Sequence, residues 1–298
     1  MSVAQLLRAE IAARGPLPFS RFMEVALYDP TAGYYRRDHF GREGDFYTAE
    51  QLQPTFGLLL RRFCEQHGIT TIVQPGAGRA ALRDSFTGLE YVPIDVAYGT
   101  WPESFEGLIL AHEFFDALPV DVAQWEGEEW REMLVACEGE GFGWRLGEGL
   151  AIEGIDERIE RMERAVGLER ELVRMTDRLR SGYLLVLDYG YTQREQIRFP
   201  QGSLMGYRQH RATEDVLANP GEQDITAHVP FSTLEEVAHR LGWRTIRHES
   251  MGSFLLRIGE ADQFAFLNLE ADTGRRLQLK TLLFDIGENF RALLLGKP

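Results

Sequence analysis

Residues 70–78 read TTIVQPGAG, a short β-branched run that closes in a glycine turn. The next apolar run, LEYVPIDV at 89–96, carries Asp95 near its end. GLILAHEFFDALP at 107–119 contains a third run, and YLLVLDYG at 183–190 is a fourth. Short strands that end in glycine or acidic residues are typical of a parallel sheet that binds ligands at its carboxyl edge. The sequence therefore predicts an α/β fold built on such a sheet.

The residues before this sheet are predicted to form a separate extension. Apolar side chains recur at helical spacing over 3–13, 19–27 and 54–67, and a stretch rich in glycine and proline interrupts them. We therefore predict that residues 1–69 form a helical and loop-rich N-terminal extension without a sheet.

An insertion is predicted within the sheet domain, which we place at 70–260. Residues 120–150 alternate apolar and polar side chains between Glu-Gly turns, which predicts an antiparallel meander. Residues 155–180 carry acid–base pairs at helical spacing and predict a charged helix. Together they give an antiparallel and helical insertion at about 120–180, which we interpret as the substrate region.

The end of the chain is predicted to hold two further elements. WRTIRHESMGSFLLRIG at 243–259 alternates in a way that predicts a terminal antiparallel hairpin. Residues 261–298 are predicted to be a C-terminal helical tail.

Composition limits the classes of function. The chain has 298 residues and a formal net charge of −14, which argues against a nucleic-acid binder because phosphate contacts need clustered Lys and Arg. The charge favours a cationic substrate, although solubility alone also explains it. With two cysteines, no CxxC motif and no Cys/His cluster, we expect no metal site and a reducing, cytoplasmic setting. We also expect neither a signal peptide nor membrane insertion.

A glycine turn and an acidic residue are the candidate cofactor-binding groups. Gly76 and Gly78 follow the first strand, where a turn without side chains lets the backbone approach a ligand. Asp95 lies 19 residues after Gly76, at the end of the next strand, where a carboxylate accepts ribose hydroxyls. A simple turn is the alternative interpretation.

Polar and acidic residues at two other strand ends are the candidate substrate-binding groups. His112, Glu113 and Asp116 follow the third strand, and Glu113 could hold a guanidinium through two hydrogen bonds. Asp188 ends a buried strand, where an ionised carboxylate needs partners or the mouth of a site. Asp116 as a turn cap and Glu113 as a solvated side chain remain alternatives. Residues 220–229, PGEQDITAHV, either line a site or form a hydrogen-bonded turn.

The order of motifs from about residue 19 to residue 259 resembles the family of the mitochondrial complex I assembly methyltransferase and its bacterial relatives. The motifs are FMEVALYDPTAGYY (22–35), GDFYTAEQLQPTFG (44–57), QPGAGRAAL (74–82), LAHEFFDALPV (110–120), VLDYGY (186–191), GSLMGYRQHR (202–211) and PGEQDITAHVPF (220–231). The resemblance implies a Rossmann-like class I methyltransferase fold, S-adenosyl-L-methionine as methyl donor and a protein arginine as acceptor. For the mitochondrial member, that arginine belongs to a respiratory complex I subunit.

The resemblance also implies roles for individual residues. Gly76, Gly78 and Asp95 would contact the cofactor, with Gly44, Asp45 and Thr48 in a loop over it. The acceptor pocket would be shaped by His112, Glu113, Asp116 and Asp188.

The chain departs from the family pattern around the cofactor. Gln74 stands where the family usually has Glu, Ala80 replaces a third glycine, and His112 replaces Asn. Only 12 residues separate Gly78 from Tyr91, and 12 separate Asp95 from Leu108. We therefore expect the helices of these two connections to be trimmed or missing.

The sequence favours methyl transfer from S-adenosyl-L-methionine to a protein side-chain nitrogen, with arginine as the predicted acceptor. Glu113 is the predicted orienting carboxylate, supported by Asp116 or Asp188. The partner would be a protein substrate such as a respiratory-complex subunit, and the oligomeric state stays open. Two alternatives remain at this point: a small-molecule methyltransferase, and a catalytically silent relative that binds a partner during assembly.

Overall fold

The computed structural model describes residues 1–36, 49–209 and 211–298. The α-helices are α1 (Val3–Arg14), α2 (Phe19–Tyr28), α3 (Thr55–Gln66), α4 (Val166–Arg178), α5 (Phe231–Arg240), α6 (Met251–Glu260), α7 (Thr273–Lys280) and α8 (Ile286–Asn289). The strands before α4 are β1 (Leu17–Pro18), β2 (Thr71–Pro75), β3 (Glu90–Ile94), β4 (Phe105–His112), β5 (Asp121–Trp125), β6 (Trp130–Glu138), β7 (Gly141–Leu150) and β8 (Arg161–Arg164). The later strands are β9 (Leu179–Tyr191), β10 (Met205–Arg208), β11 (Arg211–Thr213), β12 (Asp224–Thr226), β13 (Val229–Pro230), β14 (Arg244–Ser250) and β15 (Phe290–Lys297).

The described residues form two compact units, each assembled from separate stretches of the chain. The first unit comprises residues 1–36, 116–170 and 191–234, and the second comprises 49–115, 171–190 and 235–298. This division differs from the linear one drawn from the sequence, because α3 lies in the second unit with the predicted sheet.

A mixed sheet with the strand order β14-β15-β9-β4-β2-β3 organises the second unit. β3, β2, β4 and β9 run parallel to one another, whereas β15 runs antiparallel between β9 and β14. β2 has β3 on one side and β4 on the other, so the strand order reverses there. In open α/β sheets, this reversal opens a crevice at the carboxyl ends of the strands, where ligands bind.

Two helices of the second unit, α3 and α6, have local reasons to form: α3 has a buried apolar face and α6 has an N-cap. α3 buries Phe56, Leu59, Leu60 and Phe63, which recur at helical spacing and share one cluster with Leu108 of β4. α6 begins at an N-cap in which the Ser250 hydroxyl accepts a hydrogen bond from the Ser253 N–H at 3.2 Å.

An antiparallel sheet with the order β1-β6-β5-β8 is the main sheet of the first unit, and β7 pairs with β6. The meander predicted for 120–150 is therefore confirmed. Buried residues of α1 and α2, among them Leu7 and Phe22, share a core with Val122 and Val135 of this sheet. A shorter sheet, β11-β10-β12, belongs to the same unit.

Several local predictions were wrong. Residues 243–259 are not a hairpin, because β14 leads directly into the capped helix α6. The predicted helical tail at 261–298 ends in strand β15, whose apolar run pairs with β9 and β14. The extension at 1–69 is not free of sheet, since Leu17 pairs with Val135 of β6. The helix predicted at 155–180 begins only at Val166, after β8.

The shortened connections were predicted correctly. Residues 78–88 consist of turns, and the residues between Asp95 and β4 contain turns and irregular chain but no α-helix. Among the helices that the structure describes, none is both long and apolar enough to cross a membrane.

Candidate cofactor and acceptor site

The glycine turn after β2 has the backbone shape that requires glycine. Gly76 has φ of +68° and Gly78 has φ of +51°, a region that other L-residues adopt at a cost. A Cβ atom on Gly76 would lie 3.0 Å from Cδ2 of Phe114. The Ala77 N–H donates to the Ile94 carbonyl at 3.1 Å, which ties the turn to the end of β3. The turn thus presents bare backbone at the point where the strand order reverses.

Asp95 lies beside this turn, directly after β3. Its Oδ2 accepts a hydrogen bond from the Gly78 N–H at 2.8 Å, and its Oδ1 accepts one from the Val96 N–H at 2.7 Å. The Tyr98 hydroxyl donates to the Gly78 carbonyl at 2.6 Å and closes the arrangement. A carboxylate has about four lone-pair positions, so a side chain of this type can accept several hydrogen bonds at once.

The turn after β4 holds Glu113 in a strained conformation. Glu113 has φ of +47°, although it is not glycine. Asp188, at the end of β9, stabilises this turn: its Oδ2 accepts hydrogen bonds from the Phe114 and Phe115 N–H groups at 3.2 and 3.0 Å. Its Oδ1 accepts from the Tyr189 N–H at 3.0 Å, and the side chain is buried. Asp188 therefore positions the backbone that carries Glu113.

Glu113 belongs to a group of three ionisable side chains, Glu50, His112 and Glu113, which we call the acidic triad. His112 Nδ1 lies 3.4 Å from Glu50 Oε1, and His112 Nε2 lies 3.3 Å from Glu113 Oε1. The Tyr189 hydroxyl donates to Glu113 Oε2 at 3.1 Å. His112 Nε2 and Glu113 Oε1 are close enough for an ion pair, but neither atom makes a hydrogen bond to any described residue, although both are buried.

Burial and neighbouring charges shift the pKa values within the acidic triad. Burial lowers the pKa of His112, but Glu113, Glu50 and Asp188 outweigh it, so the pKa is raised above its usual value. Burial also raises the pKa of Glu113, with Glu50 adding to the rise and His112 and the Tyr189 hydroxyl opposing it. The arrangement therefore favours the protonated form of His112, and it makes the Glu113 carboxylate take up a proton more readily than an ordinary glutamate does.

Gln74 connects the acidic triad to the glycine turn. It is buried two residues before Gly76, and its Nε2 donates to Glu50 Oε1 at 2.5 Å. The Tyr91 hydroxyl donates to Gln74 Oε1 at 2.5 Å. Gln74, one of the three positions at which the sequence departs from the family pattern, is thus hydrogen-bonded to one member of the acidic triad.

The predicted site residues are divided between the two units. Gly76, Gly78, Asp95, His112, Glu113 and Asp188 all lie in the second unit. Asp116 belongs to the first unit, where it is buried and its carbonyl accepts from the Ala227 N–H at 2.9 Å. Gly44, Asp45 and Thr48 lie outside the described residues.

The segment 220–229 also falls in the first unit. Asp224 Oδ1 accepts a hydrogen bond from the Tyr35 hydroxyl at 2.7 Å, and the His228 N–H donates to the Ser203 hydroxyl at 2.9 Å. These contacts favour the second interpretation of residues 220–229, a hydrogen-bonded turn, over the first, in which the segment lines a site.

Sequence reasoning missed Glu50 and Phe114. Glu50 is 62 residues from His112 along the chain, so no local pattern relates the two. Phe114 adjoins Glu113 in the quoted motif, and its packing against the glycine turn becomes visible only in three dimensions.

These residues fit a cofactor such as S-adenosyl-L-methionine. Gly76 and Gly78 provide a turn without side chains, and Asp95 provides a carboxylate at the neighbouring strand end. Such a pair suits a nucleoside whose ribose hydroxyls bind an acidic side chain while the rest lies along bare backbone. Phe114 supplies an aromatic surface next to the turn.

Comparison with known proteins supports this interpretation. A family model for S-adenosyl-L-methionine-dependent methyltransferases matches residues 76–250, more than half of the chain. The Drosophila melanogaster homolog of the mitochondrial protein arginine methyltransferase NDUFAF7 is 27% identical over 81% of this chain and 71% of its own. The human protein of that name is also 27% identical, over 78% of this chain and 68% of its own.

Solved structures give the same result. A Burkholderia thailandensis protein bound to S-adenosyl-homocysteine superposes with a TM-score of 0.88 and 28% identity, over 99% of this chain and 92% of that one. A native crystal structure of a protein from the same organism gives a TM-score of 0.83 and 27% identity, over 99% and 91%. The predicted fold, family resemblance and cofactor are confirmed: the chain belongs to the family of S-adenosyl-L-methionine-dependent methyltransferases, with their Rossmann-like fold.

Proposed function

We propose that this methyltransferase acts on an arginine side chain of a protein. The observation that carries the proposal is the acidic triad, which lies at the carboxyl edge of the sheet and is joined through Gln74 to the glycine turn. Two carboxylates around one imidazole suit a cationic acceptor better than an anionic one.

Different residues of the chain would bind the cofactor, orient the guanidinium and remove its proton. When bound, the cofactor supplies a methyl group on a positively charged sulfur. Gly76, Gly78 and Asp95 would hold the cofactor, and Glu113 would orient the guanidinium so that one nitrogen faces the methyl group. Alignment of this kind is a large part of the rate enhancement in bimolecular reactions.

Glu113 would also accept the proton that the nitrogen loses as its new bond to carbon forms. Its raised pKa, caused first by burial, brings a carboxylate closer to the proton affinity that general bases need near neutral pH. Asp188 would contribute indirectly, since it holds the turn that carries Glu113.

Two further observations support a protein arginine. The relatives at 27% identity are named protein arginine methyltransferases. The chain carries a formal net charge of −14, which would attract a basic peptide segment. The resemblance to the complex I assembly family makes a respiratory-complex subunit the first substrate to examine.

A comparison of cellular proteomes tests the proposal. Mass spectrometry of proteins from cells with and without the gene should identify a methylarginine that disappears on deletion. Wild-type protein should restore it, and Glu113→Gln should not. If every methylarginine survives deletion while a methylated small molecule disappears, the acceptor is not a protein arginine.

A further inference from the structure

Phe114 connects the end of β4 with the glycine turn after β2. A Cβ atom added to Gly76 would lie 3.0 Å from Cδ2, 3.7 Å from Cβ and 3.8 Å from Cγ of Phe114. The side chain of Phe114 therefore covers the Cα atom of Gly76. This close approach is possible because glycine has no side chain of its own.

The backbone fixes Phe114 in this position. The Glu113 N–H donates to the Leu187 carbonyl of β9 at 3.0 Å, and Glu113 has the positive φ of 47°. The Phe114 and Phe115 N–H groups both donate to Asp188 Oδ2. A strained residue that its surroundings hold in place is typical of functional sites. Here the strained turn determines where the ring of Phe114 lies.

The two aromatic residues of this turn have different surroundings. Phe115 is buried, with 5% of its surface exposed, whereas Phe114 is partly exposed. Their ring centroids are 5.4 Å apart, and the rings are nearly perpendicular at 84°. The buried ring of Phe115 therefore supports Phe114, and the exposed part of Phe114 is accessible to a ligand.

The order of the strands brings Phe114 near the reacting end of a bound cofactor. β3, with Asp95 after it, lies on one side of β2, and β4 lies on the other. We expect a cofactor whose ribose binds Asp95 to extend its sulfur and its amino-acid part over the glycine turn towards β4. A single carbon atom joins the sulfur to the ribose, so the sulfur belongs close to the turn that Phe114 covers.

We propose that the ring of Phe114 binds the positively charged sulfur of S-adenosyl-L-methionine through a cation–π contact. The face of an aromatic ring carries partial negative charge and attracts a ligand cation within about 6 Å of its centre. On methyl transfer, the electron pair of the broken carbon–sulfur bond stays on sulfur, which becomes neutral, so Phe114 loses this contact. Phe114 thus favours the methyl donor over the product S-adenosyl-homocysteine. This preference concerns the donor alone and holds whichever acceptor is methylated.

Calorimetric titration with the two forms of the cofactor tests this role without measuring methyl transfer. Phe114→Leu keeps an apolar side chain and removes the ring. The ratio of S-adenosyl-L-methionine affinity to S-adenosyl-homocysteine affinity should fall about 3- to 30-fold, the range that a cation–π contact supplies. Replacement of Phe114 by trifluorophenylalanine nearly keeps the shape of the ring, while its fluorine atoms withdraw electron density from the face. It should lower the same ratio.

Phe115→Leu is the matched control, because it makes the same substitution at the neighbouring ring and should leave the affinity ratio as in wild type. The inference is overturned if Phe114→Leu weakens both ligands equally or neither, or if trifluorophenylalanine at this position leaves the ratio unchanged. Should Phe114→Leu fail to fold, the fluorinated variant decides the question alone. The search for a cellular methylarginine bears on the acceptor only, so the two proposals can fail independently.

Discussion

The two sides of the sheet edge in the second unit are constructed differently. On the β2–β3 side, backbone conformation dominates: Gly76 and Gly78 adopt positive φ, and Asp95 secures the turn. On the β4–β9 side, buried charges dominate: Asp188 holds the turn of Glu113, and the acidic triad lies beside it. The first side suits a ligand that lies along bare backbone, and the second suits a ligand with charge. Substitutions on the β2–β3 side should therefore affect cofactor binding, and substitutions on the β4–β9 side should affect methyl transfer.

Glu113→Gln should have the largest effect. Loss of a positioned general base typically lowers a rate by about 10²- to 10⁴-fold. Because the pKa of Glu113 is raised, its carboxylate forms only as pH rises through that value, so wild-type activity should increase there and the variant should lack this increase. Steady-state rates against pH measure both effects, with S-adenosyl-homocysteine affinity as the control that should not change. A normal rate in the variant would exclude Glu113 as the base.

Asp188→Ala should have the largest effect on stability. It leaves three backbone N–H groups without their acceptor, and each buried unsatisfied donor costs about 1–3 kcal/mol. We expect the free energy of unfolding to fall by about 3 kcal/mol or more, measured by urea denaturation.

Glu163→Ala is the matched control for that experiment. Glu163 is a buried carboxylate of the first unit that accepts from the Ser203 N–H and hydroxyl and from the Leu204 N–H at 2.8–3.1 Å. It should destabilise the chain comparably, yet folded protein should retain its rate of methyl transfer. Equal loss of rate in both variants would contradict the positioning role of Asp188.

Gly76→Ala should affect both stability and cofactor binding. The positive φ of 68° costs a non-glycine residue about 1–2 kcal/mol, and the new Cβ would lie 3.0 Å from Phe114. Gly88→Ala is the control, because Gly88 also has positive φ but nothing within 4 Å of the added atom. Both should lose stability in thermal unfolding, and only Gly76→Ala should weaken S-adenosyl-homocysteine binding. Equal weakening by Gly88→Ala would refute the specific role of this turn.

Ala80→Gly should have the smallest effect. Relief of the positive φ of 53° stabilises the fold, while added chain entropy and the loss of a buried methyl group oppose it. The free energy of unfolding should therefore stay within about 0.5 kcal/mol of wild type. S-adenosyl-homocysteine affinity, measured by calorimetry, should also be unchanged. A large gain in affinity would mean that the family's third glycine matters here.

The same contrast between the two sides explains what could be predicted from the sequence. β2, β3 and the glycine turn were predictable because β-branched runs and glycine are local signals. β15 was not, because the apolar run that ends FRALLLGK has no periodicity that separates a buried strand from a helix. Its pairing with β9 joins it to residues more than 100 positions earlier.

The acidic side was predictable only in part. Glu113 and Asp188 could be singled out as candidates because carboxyl groups at the ends of buried strands need partners or a site to face. That Asp188 acts as a backbone acceptor, and that Glu50 faces His112, follows from contacts between distant parts of the chain. Asp116 was grouped with Glu113 by proximity in sequence, and its part in the acceptor pocket stays a prediction.

Isothermal titration of S-adenosyl-L-methionine into wild-type protein and into Asp95→Ala tests the central claim, that the cofactor binds at this sheet edge beside Asp95. Two hydrogen bonds from ribose hydroxyls to a carboxylate predict a loss of affinity of about 100-fold or more in the variant. Asp95→Asn should bind with intermediate affinity, because the amide oxygen can still accept the Gly78 N–H. Equal affinity of wild type and Asp95→Ala would contradict this placement of the cofactor.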